Sequence, residues 1–574
     1  MSTGPTTVAR STGPRAAVDH ALERTDLAIA AAVSLVALVA RLLAAGLIRF
    51  PVPEDTAYYV DVARNLLAGR GLVADTLWSY QTPPLVFPRP AFEVWLPLPS
   101  LLAAVPMAVA GGAYAAAQLV PIAAGVVVAL LAWRLGADVA AELGLPAGRA
   151  RVLAAGTGVT AAVYLPLVLH SALPDSTMLF AALALGAAVL MARLLARPSR
   201  FGLRDRRLLG LGALLGLAAL TRNEAVWLAL AWLILVATRA GLTASERLRG
   251  VGVVAAVSLA VFAPWAVRNW FVFGTPLPGQ ALANALSVTG FDIFAWQDRP
   301  SLERYLALGP SRLLELRLVG LGHNLLNVLV LLGVPVAVIG LAGLARLARL
   351  AALRPLLLFG GITFAATSLL FPVATTWGTF LHAAGPVHVL LVLAALVALD
   401  RLIAAVGRRQ GWTRPVAWLG ATLAVGASLL FSLVFLPGFG AQAASREREF
   451  RAIEAAFAAR GTPLGSGPGR SGPVVTNFPI WLAYATDAPA LALPDEPPEA
   501  VLDLAAAFPG TRYLVVVGDE HGRWPGVLEG EGGGSDPAIA CFRRLDLAAA
   551  LPADADALAD VRAWEMACSE GADR

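Results

Sequence analysis

Apolar residues in this chain come in long blocks separated by short arginine-bearing segments. The blocks at residues 27–48, 115–133, 150–171, 174–195, 251–271, 320–345, 356–373, 383–400 and 415–436 are each near the length at which a helix crosses a hydrocarbon core, about 20 residues. Two shorter blocks, 208–220 and 223–238, predict a tight helical hairpin. The pattern therefore predicts a polytopic helix bundle of about 11 spans. One more apolar block, 94–112, contains Pro97, Pro99 and Pro106. Proline lacks the N–H that a helix interior needs, so a re-entrant or interfacial element is expected there.

The blocks end near residue 437, where the chain becomes rich in Arg, Glu, Asp, Gly and Pro. Helical spacing at 446–460 is followed by short apolar runs at 474–476, 490–493 and 513–517, with helix-like segments at 480–484 and 500–508 between them. Strands alternating with helices predict a small α/β layer with parallel strands. Gly-rich stretches at 465–472 and 530–535 read as loops. The expected fold class is thus mainly α, a transmembrane bundle followed by a small C-terminal α/β domain. Its divisions are an N-terminal tail at 1–26, a membrane domain at 27–436 with outer loops at 49–93 and 272–319, and an outer domain at 437–574.

Composition agrees with this pattern. Hydrophobic residues make up 58% of the 574, charged residues only 14%, and the mean hydropathy is +0.70, whereas soluble domains are roughly 45–50% apolar. The chain has no lysine, so all 44 basic residues are arginine. They gather in alternate connections, as at Arg134, Arg149 and Arg151, at Arg204, Arg206 and Arg207, and at Arg401, Arg408 and Arg409. The positive-inside rule then puts the N-terminus in the cytoplasm and the C-terminal domain outside. No small-residue cleavage site follows a short apolar region, so the first span reads as an anchor and not as a removed signal. The basic pI reflects these loops and contacts with membrane lipids; it does not imply a nucleic acid partner. Both cysteines, Cys541 and Cys568, fall in the outer domain. They are either a disulfide of an oxidising compartment or two free thiols.

Under this topology a set of ionisable groups collects on the outer face: Glu54, Asp55 and Glu93 in the first loop, His170 and Asp175 in the turn before the fourth block, Arg222 and Glu224 in the short hairpin, then Arg268 and His382. Charged groups at membrane depth cost several kcal/mol, so they are candidates for function. Each also has a structural reading. Asp55 and Asp175 stand at helix starts, where a carboxylate caps N–H groups; Arg222 is two residues from Glu224; Asp61 is spaced to pair with Arg64.

The segment EDTAYYVDVARNLLAGRG at 54–71 resembles the signature of the GT-C superfamily of membrane glycosyltransferases, in particular glycosyltransferase family 39, the bacterial protein O-mannosyltransferase and aminoarabinose transferase type. The matching positions are Asp55, Tyr59, Ala63 and Arg64. HSALPDSTML, with Asp175, looks like the second acidic motif, and ALTRNEAVWLALAWL, APWAVRNWFVFGTPLPG and VVTNFPIWLAYATDAPALALP are similar to further family phrases. Relatives commonly carry Asp then Glu, whereas here Glu54 precedes Asp55 and Thr56 follows it.

The resemblance implies a bacterial plasma-membrane enzyme that passes a sugar, with inversion, from a polyprenyl-phosphate donor to an acceptor hydroxyl on a protein, glycan or lipid. It implies Asp55 as general base, with Glu54 and Asp175 as the companion acids. Arg222 and Arg268 would bind the donor phosphate, and Glu93, His170, Glu224 and His382 would line the substrate site; either a divalent cation, Mg or Mn, held by Asp55 or Asp175 shares the work, or there is no cofactor. The alternative is a lipid or glycan transporter, or a non-enzymatic assembly protein. Transporters tend to show internal repeats, and no repeat relates the two halves of this chain.

Overall fold

The computed structural model describes residues 24–196, 201–413, 416–465, 467, 469–519, 521–530 and 536–568. Most of the expected N-terminal tail, residues 1–23, and most of the expected loop at 530–535 lie outside the described residues. Among the described residues, eight helices are long and apolar enough to cross a membrane: Arg24–Leu47, Tyr114–Glu142, Thr177–Ala196, Ala244–Phe273, Gly309–Gly333, Ala351–Leu369, Gly385–Arg409 and Trp418–Ala459. The protein is a multi-pass membrane protein. Leu35 and Leu43 of the first helix keep 62% and 64% of their surface exposed, an orientation stable only where the surrounding medium is itself apolar.

The count of about 11 spans is not reproduced as 11 long helices, and the reasons are local. The 150–171 block is broken into Ala147–Val163 and Leu165–His170 at Tyr164, just before Pro166. The 320–345 block joins a π-helical stretch, His323–Val330, to the 12-residue helix Val336–Leu347 across Pro335. The expected hairpin forms as Arg206–Ala219 and Ala225–Thr238, each 14 residues long. The proline-bearing 94–112 block becomes one 12-residue helix, Leu98–Val109, that packs on Glu54–Leu67. It is too short to cross alone.

Bundle packing hides two polar devices. Arg41 is wholly buried in the first helix and donates through Nη1 to the carbonyls of Ala37 and Ala162, both at 3.0 Å. Gly125 makes room for it, since a Cβ there would stand 2.2 Å from both Arg41 Nε and Ser171 Oγ. At the opposite end of the bundle, Arg149 holds Asp400 bidentately at 2.7 and 2.6 Å. This joins two helices far apart in sequence by the strongest geometry an ion pair adopts.

The helix expected to end near 436 runs on without interruption as Trp418–Ala459, 42 residues, and takes in the separate helix expected at 446–460. It delivers the chain to a six-stranded mixed sheet. Strand labels follow chain order: β1 (Val73–Ala74), β2 (Thr76–Leu77), β3 (Arg89–Pro90), β4 (Val474–Thr476), β5 (Ala490–Ala492), β6 (Tyr513–Val517), β7 (Phe542–Leu545) and β8 (Val561–Met566). The order across the sheet is β2-β5-β4-β6-β8-β7, with β1 and β3 forming a separate antiparallel pair. β4, β5 and β6 are parallel and entirely buried, as unbroken apolar runs require. β8 and β7 add antiparallel pairs at one edge. The other edge is closed by β2, from the first loop, paired parallel to β5 as Thr76↔Ala490 and Leu77↔Leu491. That cross-chain strand was not foreseen, because two residues carry no readable period.

Cys541 and Cys568 form a disulfide that closes a ring over a sequence separation of 27. Alkylation without reductant is expected to label neither thiol, and reduction to expose both. Cys541→Ser is expected to lower the unfolding temperature measured in detergent, because a ring of this order stabilises a fold by roughly 3 kcal/mol.

Candidate active site

Four separate stretches bring ionisable side chains together at the end of the bundle that carries the sheet. The first is the opening turn of Glu54–Leu67, which follows the first membrane helix after a proline-rich link. The second is the turn 171–176 between Leu165–His170 and Thr177–Ala196. The third is the link 221–224 between the hairpin helices, and the fourth the short helix Thr379–Ala383. The bundle shields all four from water on most sides.

At the centre, Asp55 Oδ2 lies 3.3 Å from His382 Nε2, and Asp55 Oδ1 accepts the N–H of Thr56 at 2.9 Å. The Asp55 side chain keeps 12% of its surface open. His382 Nδ1 is 2.6 Å from Thr177 Oγ1 and 3.9 Å from Asp175 Oδ2. Asp175 Oδ1 accepts the Thr177 N–H at 2.7 Å, and its Oδ2 stands 3.9 Å from His170 Nδ1. That Oδ2 and His170 Nδ1 are both buried and have no hydrogen-bond partner. His170, Asp175 and His382 offer ligand atoms within 4.8 Å of one another. They could hold a cation.

Arg222 closes the cluster. Its Nε and Nη2 grip Glu224 at 3.0 and 2.9 Å, and its Nη1 donates to Ser176 Oγ at 2.8 Å. The electrostatics follow from this crowding. Burial and the facing Asp175 push Asp55 up to about 7, against the pull of Arg222. Burial also works against ionised Asp175, but its histidine neighbours and the Thr177 N–H outweigh it and hold that carboxyl below its ordinary value. Burial, then Arg222, depresses His382 to about 3, leaving a neutral imidazole. The Arg222 guanidinium stays charged: its burial is overcome by Glu224, Tyr59 and Asp55.

The remaining expected residues lie around this centre. Glu54 turns to the sheet region, where its Oε1 accepts the backbone N–H groups of Ile480 and Trp481 at 2.9 and 3.3 Å. Burial raises its carboxyl to about 8 despite those two bonds. Glu93 is buried in an ion pair with Arg89 at 3.2 Å. Its neighbour Phe92 has φ of +73°, and the Phe92 N–H donates to the Tyr58 hydroxyl at 2.7 Å. A bulky residue in the left-handed region costs on the order of 1–3 kcal/mol. Arg268 stacks on Trp265 and Phe273 and donates to the Ala91 carbonyl at 2.9 Å. Its charge acts on Tyr58 and Glu93, whereas that of Arg222 acts on Tyr59 and Asp55. The two arginines thus serve neighbouring tyrosines and do not form one clamp here. The expected pairing of Asp61 with Arg64 is replaced: Arg64 donates to the Tyr484 hydroxyl and the Gly112 carbonyl, and Asp61 accepts from Asn65.

Three supporting residues escaped sequence reasoning. Ser176 and Thr177 sit beside the singled-out Asp175, so adjacency to a candidate acid was the available signal. Asn324 had none, since a lone Asn inside an apolar block is equally a packing residue. It is fully buried in the π-helical stretch and donates to Ser368 Oγ at 2.9 Å and Thr367 Oγ1 at 3.3 Å, while the Thr375 hydroxyl donates to its Oδ1 at 2.9 Å. Thr375 opens the segment that leads to His382.

No family model and no curated protein sequence matches the chain. Solved structures do. ArnT from Cupriavidus metallidurans bound to undecaprenyl phosphate superposes with a TM-score of 0.55 at 13% identity, over 95% of this chain and 98% of that one. The archaeal oligosaccharyltransferase AglB from Archaeoglobus fulgidus, in complex with an inhibitory peptide and a dolichol-phosphate, gives 0.54 at 14% identity, over 90% and 72%. The Archaeoglobus fulgidus oligosaccharyltransferase in the apo form gives 0.55 at 14% identity, over 90% of this chain and 72% of that one. This chain has the GT-C fold. The likeness is one of architecture, and within the GT-C fold the acidic cluster described above is built from this chain's own residues.

Replacing Asn324 by Ala strands the polar groups of Ser368 and Thr375 in an apolar setting, each costing about 1–3 kcal/mol. Asn324→Ala is therefore expected to lower the detergent unfolding temperature clearly more than replacement of the exposed Asn327 on the same stretch.

Proposed function

We propose that this chain is a GT-C membrane glycosyltransferase that passes a sugar from a polyprenyl-phosphate carrier to an acceptor hydroxyl at the outer face of a bacterial plasma membrane. In this reading the N-terminus is cytoplasmic and residues 437–574 form an extracytoplasmic domain. The observation that carries the proposal is the meeting of Asp55, His382, Asp175 and Arg222 from four distant stretches at one end of a membrane bundle. Undecaprenyl phosphate and dolichol-phosphate are bound to the structural neighbours ArnT and AglB, which supports a lipid-linked donor.

The proposed reaction follows from the geometry. The acceptor oxygen attacks the anomeric carbon while Asp55 takes its proton, a contribution of about 10²–10⁴-fold for a positioned base. A carboxyl raised to about 7 suits that task near neutral pH. His382 stands beside the base, its Nε2 3.3 Å from Asp55 Oδ2 and its Nδ1 2.6 Å from the Thr177 hydroxyl. The bond from the anomeric carbon to the phosphate oxygen breaks as the new bond forms, its electron pair remains on the phosphate, and the configuration inverts. Arg222 offers its guanidinium to the departing phosphate, whereas Arg268 lies with Tyr58 and Glu93 outside that cluster.

The residues present also fit a metal, through the unpartnered Asp175 Oδ2 and His170 Nδ1. Two imidazoles and one carboxylate suit zinc better than magnesium or manganese, which prefer oxygen donors. His170 and Asp175 would hold it, with His382 Nδ1 joining in exchange for its contact with the Thr177 hydroxyl, in place of the Asp55 and Asp175 pair expected from sequence. When bound, it would supply positive charge beside the departing phosphate. Chelator-stripped protein is expected to take up zinc in equilibrium dialysis but little magnesium, and His170→Ala to lose the zinc uptake while keeping its helix content.

The direct test uses purified protein in nanodiscs with undecaprenyl-phosphate mannose, glucose or aminoarabinose, reading release of the lipid phosphate. Release is expected with at least one donor. Asp55→Asn is expected to fall about 10²–10⁴-fold while still binding undecaprenyl phosphate. A wild type that releases nothing, or an Asp55→Asn protein as active as wild type, returns the chain to the transporter or assembly-protein reading.

A further inference from the structure

Glu54 is one residue from Asp55 yet belongs to a different set of contacts. Its carboxyl closes the start of the Pro479–Thr486 helix by accepting from Ile480 and Trp481. The Trp481 indole N–H reaches back to the Pro51 carbonyl at 2.7 Å, so residues 51 and 54 are gripped by the same short helix. One helix turn beyond Asp61, Arg64 donates to the Tyr484 hydroxyl at 2.8 Å with its guanidinium 4.2 Å from that ring, and Phe50 meets the same ring at 5.7 Å. Past the end of Glu54–Leu67, β2 is bound into the sheet edge beside β5. The segment that carries Asp55 is thus attached to the sheet region before, within and after its helix.

We propose that Glu54 is a positioning residue through which the C-terminal sheet region sets the direction of Asp55: by capping the Pro479–Thr486 helix, it fixes the rotation of the first turn of Glu54–Leu67 and so aims Asp55 at His382. This rests on the transferase reading above and extends it, because the sheet region then acts on the reaction and is more than a cover over it. The physical case is one of rigidity. The Pro53 position that starts the helix has no side-chain cap of its own, so the opening turn is held by Glu54 and by the Trp481–Pro51 bond. A misplacement of about 1 Å at a reacting group costs up to roughly 100-fold in rate. The order Glu54-Asp55 matters here, since successive helix residues point about 100° apart and one can face the sheet region while the other faces the cluster.

The test compares Glu54→Ala and Glu54→Gln in the lipid-phosphate release assay, with hydrogen exchange at Ile480 and Trp481. Glu54→Ala is expected to lower kcat by about 10- to 100-fold with little change in KM for the undecaprenyl-phosphate sugar, and to speed exchange at those two amides. Glu54→Gln, whose amide oxygen accepts the same bonds, is expected to keep most of the rate. Should Glu54→Ala fail to fold, Trp481→Phe removes the adjoining bond to Pro51 and is expected to lower kcat in the same direction. Wild-type kcat in Glu54→Ala or, where that protein does not fold, in Trp481→Phe overturns the proposal. So does a fall in Glu54→Gln as deep as in Glu54→Ala, which would mean that the carboxyl itself reacts. An inactive wild type defeats the transferase reading instead, and the capping role is then decided by exchange alone: unchanged protection in Glu54→Ala rejects it.

Discussion

A carboxylate taken out of water has to be met by donors or share a proton, and the contact of Asp55 with His382, with Arg222 acting against the facing Asp175, is how this protein meets that demand. The rest of the structure can be understood from it. Four helix ends and turns must arrive at one place, which explains why so many of the apolar blocks are broken. The kink at Tyr164 shapes the approach to the His170 turn, the hairpin link presents Arg222, and the π-helical stretch carries Asn324 to the segment that holds His382. A π-turn inside a helix is costly and persists where the surroundings require it.

The two acids are made unequal by their neighbours. Asp175 has the Thr177 N–H and His170 to favour its charge, whereas Asp55 has the neutral His382 imidazole and a facing carboxylate. Environments that push two titratable groups apart are the usual basis for dividing acid and base roles. The same crowding leaves Asp175 Oδ2 and His170 Nδ1 without partners, a cost that a bound cation would offset.

The sheet region is joined to the membrane bundle by more than a linker. The 42-residue helix Trp418–Ala459 passes from one to the other without a break, and the first loop lends β2 to the sheet edge and Glu54 to a helix start. A strand edge left unpaired invites wrong partners, so closure by β2 protects the sheet while it fixes the loop. Glu496 adds a third tie by accepting the N–H groups of Trp296, Gln297 and Asp298 from the long loop.

The membrane character, most of the spans and the three parallel strands were legible in the sequence, because long apolar blocks and buried β-branched runs depend on local composition alone. Asp55, Asp175, Arg222 and His382 could each be singled out, since an ionisable group at membrane depth is conspicuous. Their partners could not. Whether Arg64 meets Asp61 or Tyr484, whether Glu54 faces the cluster or the Pro479–Thr486 helix, and whether His382 lies near Asp55 are questions about residues hundreds of positions apart. Helix periodicity sets which side of its own helix a residue occupies; only the packing of one helix against another decides what that side touches. The sequence by itself therefore determined a membrane bundle with acids at one end, and the tertiary structure decided which acid meets the histidine and which is tied to the sheet, because burial and long-range contact are properties of the assembled chain.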